Sequence, residues 1–320
     1  MSVTLQISLA PSDFKHPKLI LPHQLSCLAT QVDEILLTVD TKKSKGRFGA
    51  GWEEQRTCLY AYLESLKPDF PHLKIVPVDY SEDVKRRVSQ FFFEAGLIPD
   101  KDFRGGPFYS YFFGLYTAEN KTVFHLDSDI FLGGRSNYWV KEAVELLQTD
   151  PSVFTVAPLP GPPHPEQKLI GQNYANDYAG RPYAFSFAGM STRLFMLNKD
   201  IFREQKLKLK KPSFRNQLKS LFEGNSNADL PEHLISHFMQ SHRLKRVDFL
   251  GKKQGLWSLH PPYRTAGFYE NLSQIITRIE QNDLPADQAG FYDLTDSVCD
   301  WSEARERLRQ NRFWKKVLKK

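Results

Sequence analysis

"VFHLDSDIFLGG", residues 123–134, is the stretch that settles the reading of this chain. An apolar run ends in two aspartates one residue apart, resumes as Ile130-Phe131-Leu132, and stops at Gly133 and Gly134. The run reads as a buried strand and the glycines as its break. Residues i and i+2 of a strand point the same way, so Asp127 and Asp129 are expected to aim their carboxylates at one point. Burying two bare anions together is costly, because like charges repel and desolvation adds to the cost. A hard cation, Mn²⁺ or Mg²⁺, would neutralise the pair and keep coordination sites for substrate phosphates. Open α/β sheets take their ligands at the carboxyl ends of strands, where this pair would sit. The competing reading is an Asp-Ser-Asp turn capping local amides, and the apolar flanks weigh against it. Asp100-Lys101-Asp102 repeats the spacing without the flanks and reads as loop.

On either side, short β-rich runs alternate with longer segments of helical spacing. Residues 3–9, 34–40, 73–80, 122–126 and 153–158 read as strands. Residues 19–30, 51–67, 84–97 and 108–118 read as helices. Such alternation signals βαβ units and a mainly parallel sheet covered on both faces. Residues 183–198 read as a further strand region, 159–166 as a Pro/Gly-rich loop, and 206–227 as a solvated helix or loop. The expected fold class is α/β, with residues 1–266 as the main domain and 267–320 as a helical, basic appendage.

Composition fits a soluble globular chain: of 320 residues, 41% are hydrophobic and 25% charged. No apolar run nears the roughly 20 residues that span a bilayer, and the first residues do not resemble a signal peptide. Three scattered cysteines, Cys27, Cys58 and Cys299, suit reduced thiols in a cytoplasmic setting. The net charge of +6 is concentrated in "KLKLKKPSFRNQLK" (206–219) and "EARERLRQNRFWKKVLKK" (303–320). No zinc-finger, helix-turn-helix or RNP-like pattern accompanies it, so nucleic acid is not expected as a partner.

The order of pieces resembles the nucleotide-sugar-dependent glycosyltransferases of the GT-A fold, in particular the large inverting family that builds bacterial polysaccharides and glycolipids. "SLAPSD" resembles that family's first strand and nucleotide turn. "LPHQLSCLATQVDEILLTVD" is similar to its helix, Gln and second strand ending in Asp. "GPFYSYFFGLYTAENKTVFHLDSDIFL" looks like the helix leading into its DxD strand. The likeness covers residues 3–132 and is looser beyond them. It departs where the second strand ends in a single Asp40, and where the helix before the DxD lacks the usual Asn or Arg. The resemblance implies a donor half (about 1–135) and an acceptor half (about 136–266). Pro11, Asp13, Asp40 and Asp79 would meet a nucleoside-diphosphate sugar, a UDP-sugar for preference. Asp127 and Asp129 would hold the metal, with Asp127 also near the ribose. Each of Asp40 and Asp79 could equally cap the helix that follows its strand.

The acceptor, a saccharide or lipid-linked hydroxyl, needs a general base if transfer inverts. Glu232 in "NADLPEHLISHFMQSH" is the first candidate and Asp229 the second, although Asp229 and Glu232 also carry capping-box spacing. The resemblance implies a histidine that completes the metal site at such a strand end, which His260, followed by two prolines, matches; Arg264 could touch the diphosphate. Ala188 and Gly189 are small enough for a sugar to approach the backbone. His233 and His237 have zinc-pair spacing, but Leu234 stands where a zinc protease needs Glu. A haloacid-type phosphatase would carry its DxD on the first strand, and a pyrophosphorylase would need a Gly-rich basic loop after "LAPSDFKHPK". A retaining transferase stays open, as does a degenerate domain that binds polyanions or membranes. For the latter, Trp301, Ala304, Leu308 and Val317 could line one face of a basic tail helix able to touch anionic membrane.

Overall fold

The structure, a computed structural model, describes residues 2–43, 51–172, 176–178 and 180–317. β1 (Val3–Leu9) leads through a 3-10 turn at Pro11–Asp13 into α1 (Pro17–Leu28). β2 (Glu34–Val39), α2 (Trp52–Leu66), β3 (Leu73–Pro77) and α3 (Glu82–Phe92) follow. α4 (Tyr109–Thr117) precedes β4 (Thr122–Asp127), which turns at once into the short β5 (Phe131–Gly133). Next come α5 (Trp139–Thr149), β6 (Val153–Pro160), β7 (Asn176–Asp177), β8 (Ala184–Phe187) and β9 (Leu194–Asn198). The chain continues with α6 (Ile201–Glu204), α7 (Phe214–Glu223), α8 (Pro231–Ser241), β10 (Lys245–Phe249) and β11 (Trp257–Leu259). It closes with α9 (Ala266–Glu280) and α10 (Ser302–Val317).

The sheet runs β3-β2-β1-β4-β9-β6-β10-β8-β7. Its first four strands are parallel, as the alternating pattern predicts. β9 runs antiparallel between β4 and β6, and β6 pairs in parallel with both β10 and β11. Register aligns the strand ends: Leu9 lies opposite Val39, and Ser8 opposite both Thr38 and Asp127. Three C-terminal ends therefore finish along one rim, where the residues after β1, β2 and β4 come together. Helices cover both faces, with Leu25, Leu59 and Trp139 in one apolar cluster and Phe92, Phe112 and Ile235 in another. A third cluster holds Phe131, Trp257, Phe268, Leu272 and Trp301, so α9 packs onto β5 and α1 as part of the core.

Several boundaries differ from the sequence reading, each for a local reason. Residues 183–198 form two strands that take different places in the sheet, β8 beside β10 and β9 between β4 and β6. α3 ends at Phe92, where Phe93 turns extended (φ −124°, ψ 155°) and its backbone bridges Leu207. Gly133 and Gly134 are both required where they stand. A Cβ on Gly133 would fall 2.0 Å from the Trp257 ring, and Gly134 has φ +83° with the Gly255 carbonyl 2.5 Å from where its Cβ would be.

Candidate functional site

At the shared rim lies a cavity of about 310 Å³, lined by residues from the ends of β1, β2 and β4 and from the loop before α4. Its acidic lining is Asp13, Asp40, Asp127 and Asp129, and its basic lining Lys101 and Arg264. Asp127 is the last residue of β4, whereas Ser128 and Asp129 lie in the turn that follows. The two carboxylates are therefore not an in-strand i, i+2 pair, which corrects the expectation for that segment. The turn is real but does not cap amides: Asp129 is buried and takes a charge-assisted hydrogen bond from Nη2 of Arg264. Gln24, from α1, fixes the turn by donating to the Asp127 carbonyl at 2.9 Å and the Ile130 carbonyl at 2.8 Å.

Arg264 also reaches Asp13 at 3.3 Å, so one guanidinium serves two carboxylates. Burial pushes the Asp13 carboxyl up to about 6, against the pull of Arg264 and with the repulsion of Asp129 and Asp127. Burial would raise Asp129 too, but Arg264 and His260 outweigh it and hold that carboxyl below its ordinary value. His16 bonds Ser128 at 3.2 Å, and burial together with Arg264 pushes its imidazole down to about 3, so it is neutral.

Two histidines face the aspartate pair. His260 Nε2 is 3.8 Å from Asp129 Oδ2, and its Nδ1 lies 2.9 Å from both Arg193 Nη1 and Asp293 Oδ1, which it can serve only one at a time. His125, two residues before Asp127 on β4, has Nε2 3.5 Å from Asp127 Oδ1. The amide of Gln6 donates to Thr38 and Ser8, so its oxygen accepts from His125 Nδ1, and the buried Nε2 is left as an acceptor without a donor. Sequence reading missed His125; the His-x-Asp spacing within one strand was the signal that could have found it. The expected trio Asp127, Asp129 and His260 does not converge. Among the described residues, no three His, Cys, Asp or Glu side chains form a ready-made metal site.

A second cavity, of about 240 Å³, is lined by Glu232, Arg193, Arg246, Asp248, Met190 and Tyr292; its Arg193 bonds His260, which faces Asp129 of the first. Arg246 and Asp248 are a buried pair on β10, with Nη2 to Oδ2 at 2.9 Å. Tyr111 lines the first cavity, and its burial with the charges of Asp127 and Glu232 raises its phenol well above the usual range.

The other expected residues divide. Asp40 lines the first cavity, held by Lys101 at 3.0 Å and the Tyr80 hydroxyl at 2.8 Å. Asp79 does not line it; its side chain accepts from the Ser81 amide at 2.8 Å in a local turn before α3, whose N-cap is Ser81, while neighbouring Val78 faces the cavity. Pro11 starts the 3-10 turn, and Ala10 and Ser12 line the site beside it. Glu232 is exposed on the first turn of α8, whose N-cap is Leu230 and not Asp229, so the capping box is absent. Asp229 instead binds His233 at 2.8 Å. Ala188 and Gly189 line neither cavity, although Met190 and Ser191 line the second. A Cβ on Gly189 would meet only Ser236 at an ordinary 3.5 Å, so no glycine is demanded there. Trp301, just before α10, and Ala304 on it are buried and Leu308 is exposed, and the Val317 side chain lies outside the described residues.

No protein-family model matches the chain, and no curated protein matches it. Solved structures similar to it include an active-site mutant of LgtC, at 12% identity, TM-score 0.36, over 75% of this chain and 70% of that one. TarS from S. aureus in complex with UDP-GlcNAc is similar at 12% identity and TM-score 0.38, over 90% and 69%. A UDP-glucose pyrophosphorylase complexed with UDP-glucose is similar at 10% identity and TM-score 0.43, over 87% and 99%. These likenesses are remote.

Proposed function

We propose that the chain is a glycosyltransferase that moves a sugar from a nucleoside-diphosphate donor, a UDP-sugar for preference, to a saccharide or lipid-linked hydroxyl, with inversion. One observation carries the reading: four carboxylates and two cations converge on a cavity at the carboxyl ends of three parallel strands. In this reading Asp40 and the backbone around Ala10 and Ser12 receive the nucleoside, and Lys101 and Arg264 face its phosphates. The second cavity receives the acceptor. Its hydroxyl proton passes to the Glu232 carboxylate as the oxygen bonds the anomeric carbon and the sugar–phosphate bond breaks, its electron pair going to the departing diphosphate.

The carboxylates also suit a hard divalent ion. Asp13 and Asp129 share one guanidinium, and His125 points an unmatched acceptor at Asp127. Mg²⁺ and Mn²⁺ commonly take one or two protein carboxylates and complete their shell with substrate phosphates, which does not require a preformed cage. Asp127 and Asp129 would hold such an ion, and it would supply charge for the leaving diphosphate. A second reading, a site that binds the nucleotide without metal or turnover, is favoured by Arg264 already lying on Asp129.

A thermal-shift panel of UDP, GDP, CMP and dTDP, each with and without Mn²⁺, separates these readings. Binding at about 100 times Kd stabilises by roughly 2.7 kcal/mol, a shift of several degrees. The transferase reading expects a UDP shift that needs Mn²⁺ and is lost in Asp129→Asn. It also expects Glu232→Gln to keep that shift and lose transfer. A shift indifferent to Mn²⁺ supports the second reading, and no shift with any nucleotide ends both.

A further inference from the structure

α7 is built inside out. At about 100° per residue, Phe214, Leu218, Leu221 and Phe222 fall on one face of the helix. That face is the one turned away from the protein: the four are 75%, 44%, 70% and 90% exposed. The side facing inward carries half-buried Asn216 and Gln217 and buried Ser220. It is tied down by polar bonds, with Gln217 Nε2 donating to the Pro212 carbonyl at 2.8 Å and Asn227 Nδ2 to Gln217 Oε1 at 3.3 Å. A helix that packs by its polar side and leaves two phenylalanines and two leucines in water gains nothing in folding from its apolar face.

Charge identifies what would cover it. The approach to the helix and the helix itself carry Lys206, Lys208, Lys210, Lys211, Arg215 and Lys219 against a single acid, Glu223. Lys208 reaches Glu94 at 3.6 Å and Lys219 reaches Glu223 at 3.6 Å. Among the described residues, Lys210, Lys211 and Arg215 form no ion pair. An apolar stripe flanked by cations on a short helix is the pattern that seats in the boundary between headgroups and acyl chains of an anionic bilayer. A second copy of the chain would bring the same cations face to face and be repelled.

We propose that α7 docks this protein on an anionic lipid surface, with Phe214, Leu218, Leu221 and Phe222 inserted and the flanking lysines and arginine on the headgroups. The site is distinct from the basic C-terminal helix and does not depend on the transferase reading. The helix runs into residues that support the first cavity, since Ser226 Oγ donates to the carbonyl of Lys101 and Asn225 Nδ2 to that of Phe103 at 3.3 Å. Docking would thus hold that cavity close to the membrane.

The test is co-sedimentation of the full chain with vesicles of phosphatidylcholine alone and of phosphatidylcholine with phosphatidylglycerol in equal parts. The wild type should pellet with the anionic vesicles only, and less as salt rises from about 0.1 M to 0.5 M. Leu221→Ser with Phe222→Ser should weaken binding about tenfold or more, since two buried side chains are lost from the bilayer. Circular dichroism and the thermal midpoint should stay unchanged, because both side chains are already in water. Lys210→Glu with Lys211→Glu should weaken binding on anionic vesicles in the same way. Absence of vesicle binding, or binding that the serine pair leaves intact, overturns the proposal. So does a concentration-dependent dimer that the serine pair abolishes.

Discussion

A carboxylate as deeply buried as Asp129 needs a cation beside it, and here Arg264 provides one. Removing that partner leaves an uncompensated anion in the interior. Arg264→Met is therefore expected to destabilise the protein by about 3–5 kcal/mol, read by urea unfolding without metal. If a divalent ion shares Asp129 and Asp127, Mn²⁺ should restore part of that loss and raise the midpoint of the variant more than that of the wild type. Equal Mn²⁺ shifts in the two proteins would mean that the ion and Arg264 do not share a carboxylate. None of this pairing was legible in the sequence, where Asp13 and Arg264 lie 251 residues apart. What the sequence did offer was the acidic pair itself. Two aspartates between Phe124 and Phe131 have no cheap burial outside a polar cavity, and both line one. Asp79 looked equivalent to Asp40 because each follows a strand, but only the backbone direction after the strand decides whether such a side chain meets the cavity or a local turn.

Strand and helix segments were largely readable because period and length separate them: apolar runs of five to eight residues became strands, and patterned runs of ten or more became helices. Failures came where neighbours, not local pattern, set the outcome. The capping box at α8 was lost because Pro231 opens the helix one residue after Leu230, which moves the N-cap away from Asp229. The stretch that holds α7 read as a solvated helix or loop, and periodicity cannot say which side of such a helix faces in. The β5–β11 pairing gives a direct check on a packing claim. Trp257 lies opposite Gly133 in that antiparallel pair, with its ring over the bare Cα. Gly133→Ala should cost about 1–3 kcal/mol through overpacking, measured by chemical denaturation. The combined change Gly133→Ala with Trp257→Leu should recover part of the loss, and a neutral Gly133→Ala would refute the contact.

Strand order, by contrast, was beyond reach of the sequence: nothing local says that β9 inserts antiparallel beside β4 or that α9 joins the core. Contacts that tie distant parts together also shape how global stability responds to pH. Lys199, at the end of β9, donates its ammonium to the carbonyls of Ala118 and Tyr116 at the end of α4, the latter at 3.0 Å. Burial lowers its pKa from 10.5 to about 8, despite the opposing pull of Asp200 and Glu34. The unfolded chain then holds the extra proton between those values, so this group adds stability as pH rises from about 8 to 10.5, by at most about 3 kcal/mol. The difference in unfolding free energy between the wild type and Lys199→Met should grow in favour of the wild type over that range; a flat difference would show the group unshifted. A last consequence concerns Gln24. Its grip on two carbonyls of the acidic turn comes from α1, a helix packed into the core. A ligand arriving there meets a preorganised loop whose ordering entropy was lost during folding, which leaves more of the contact free energy to appear as affinity.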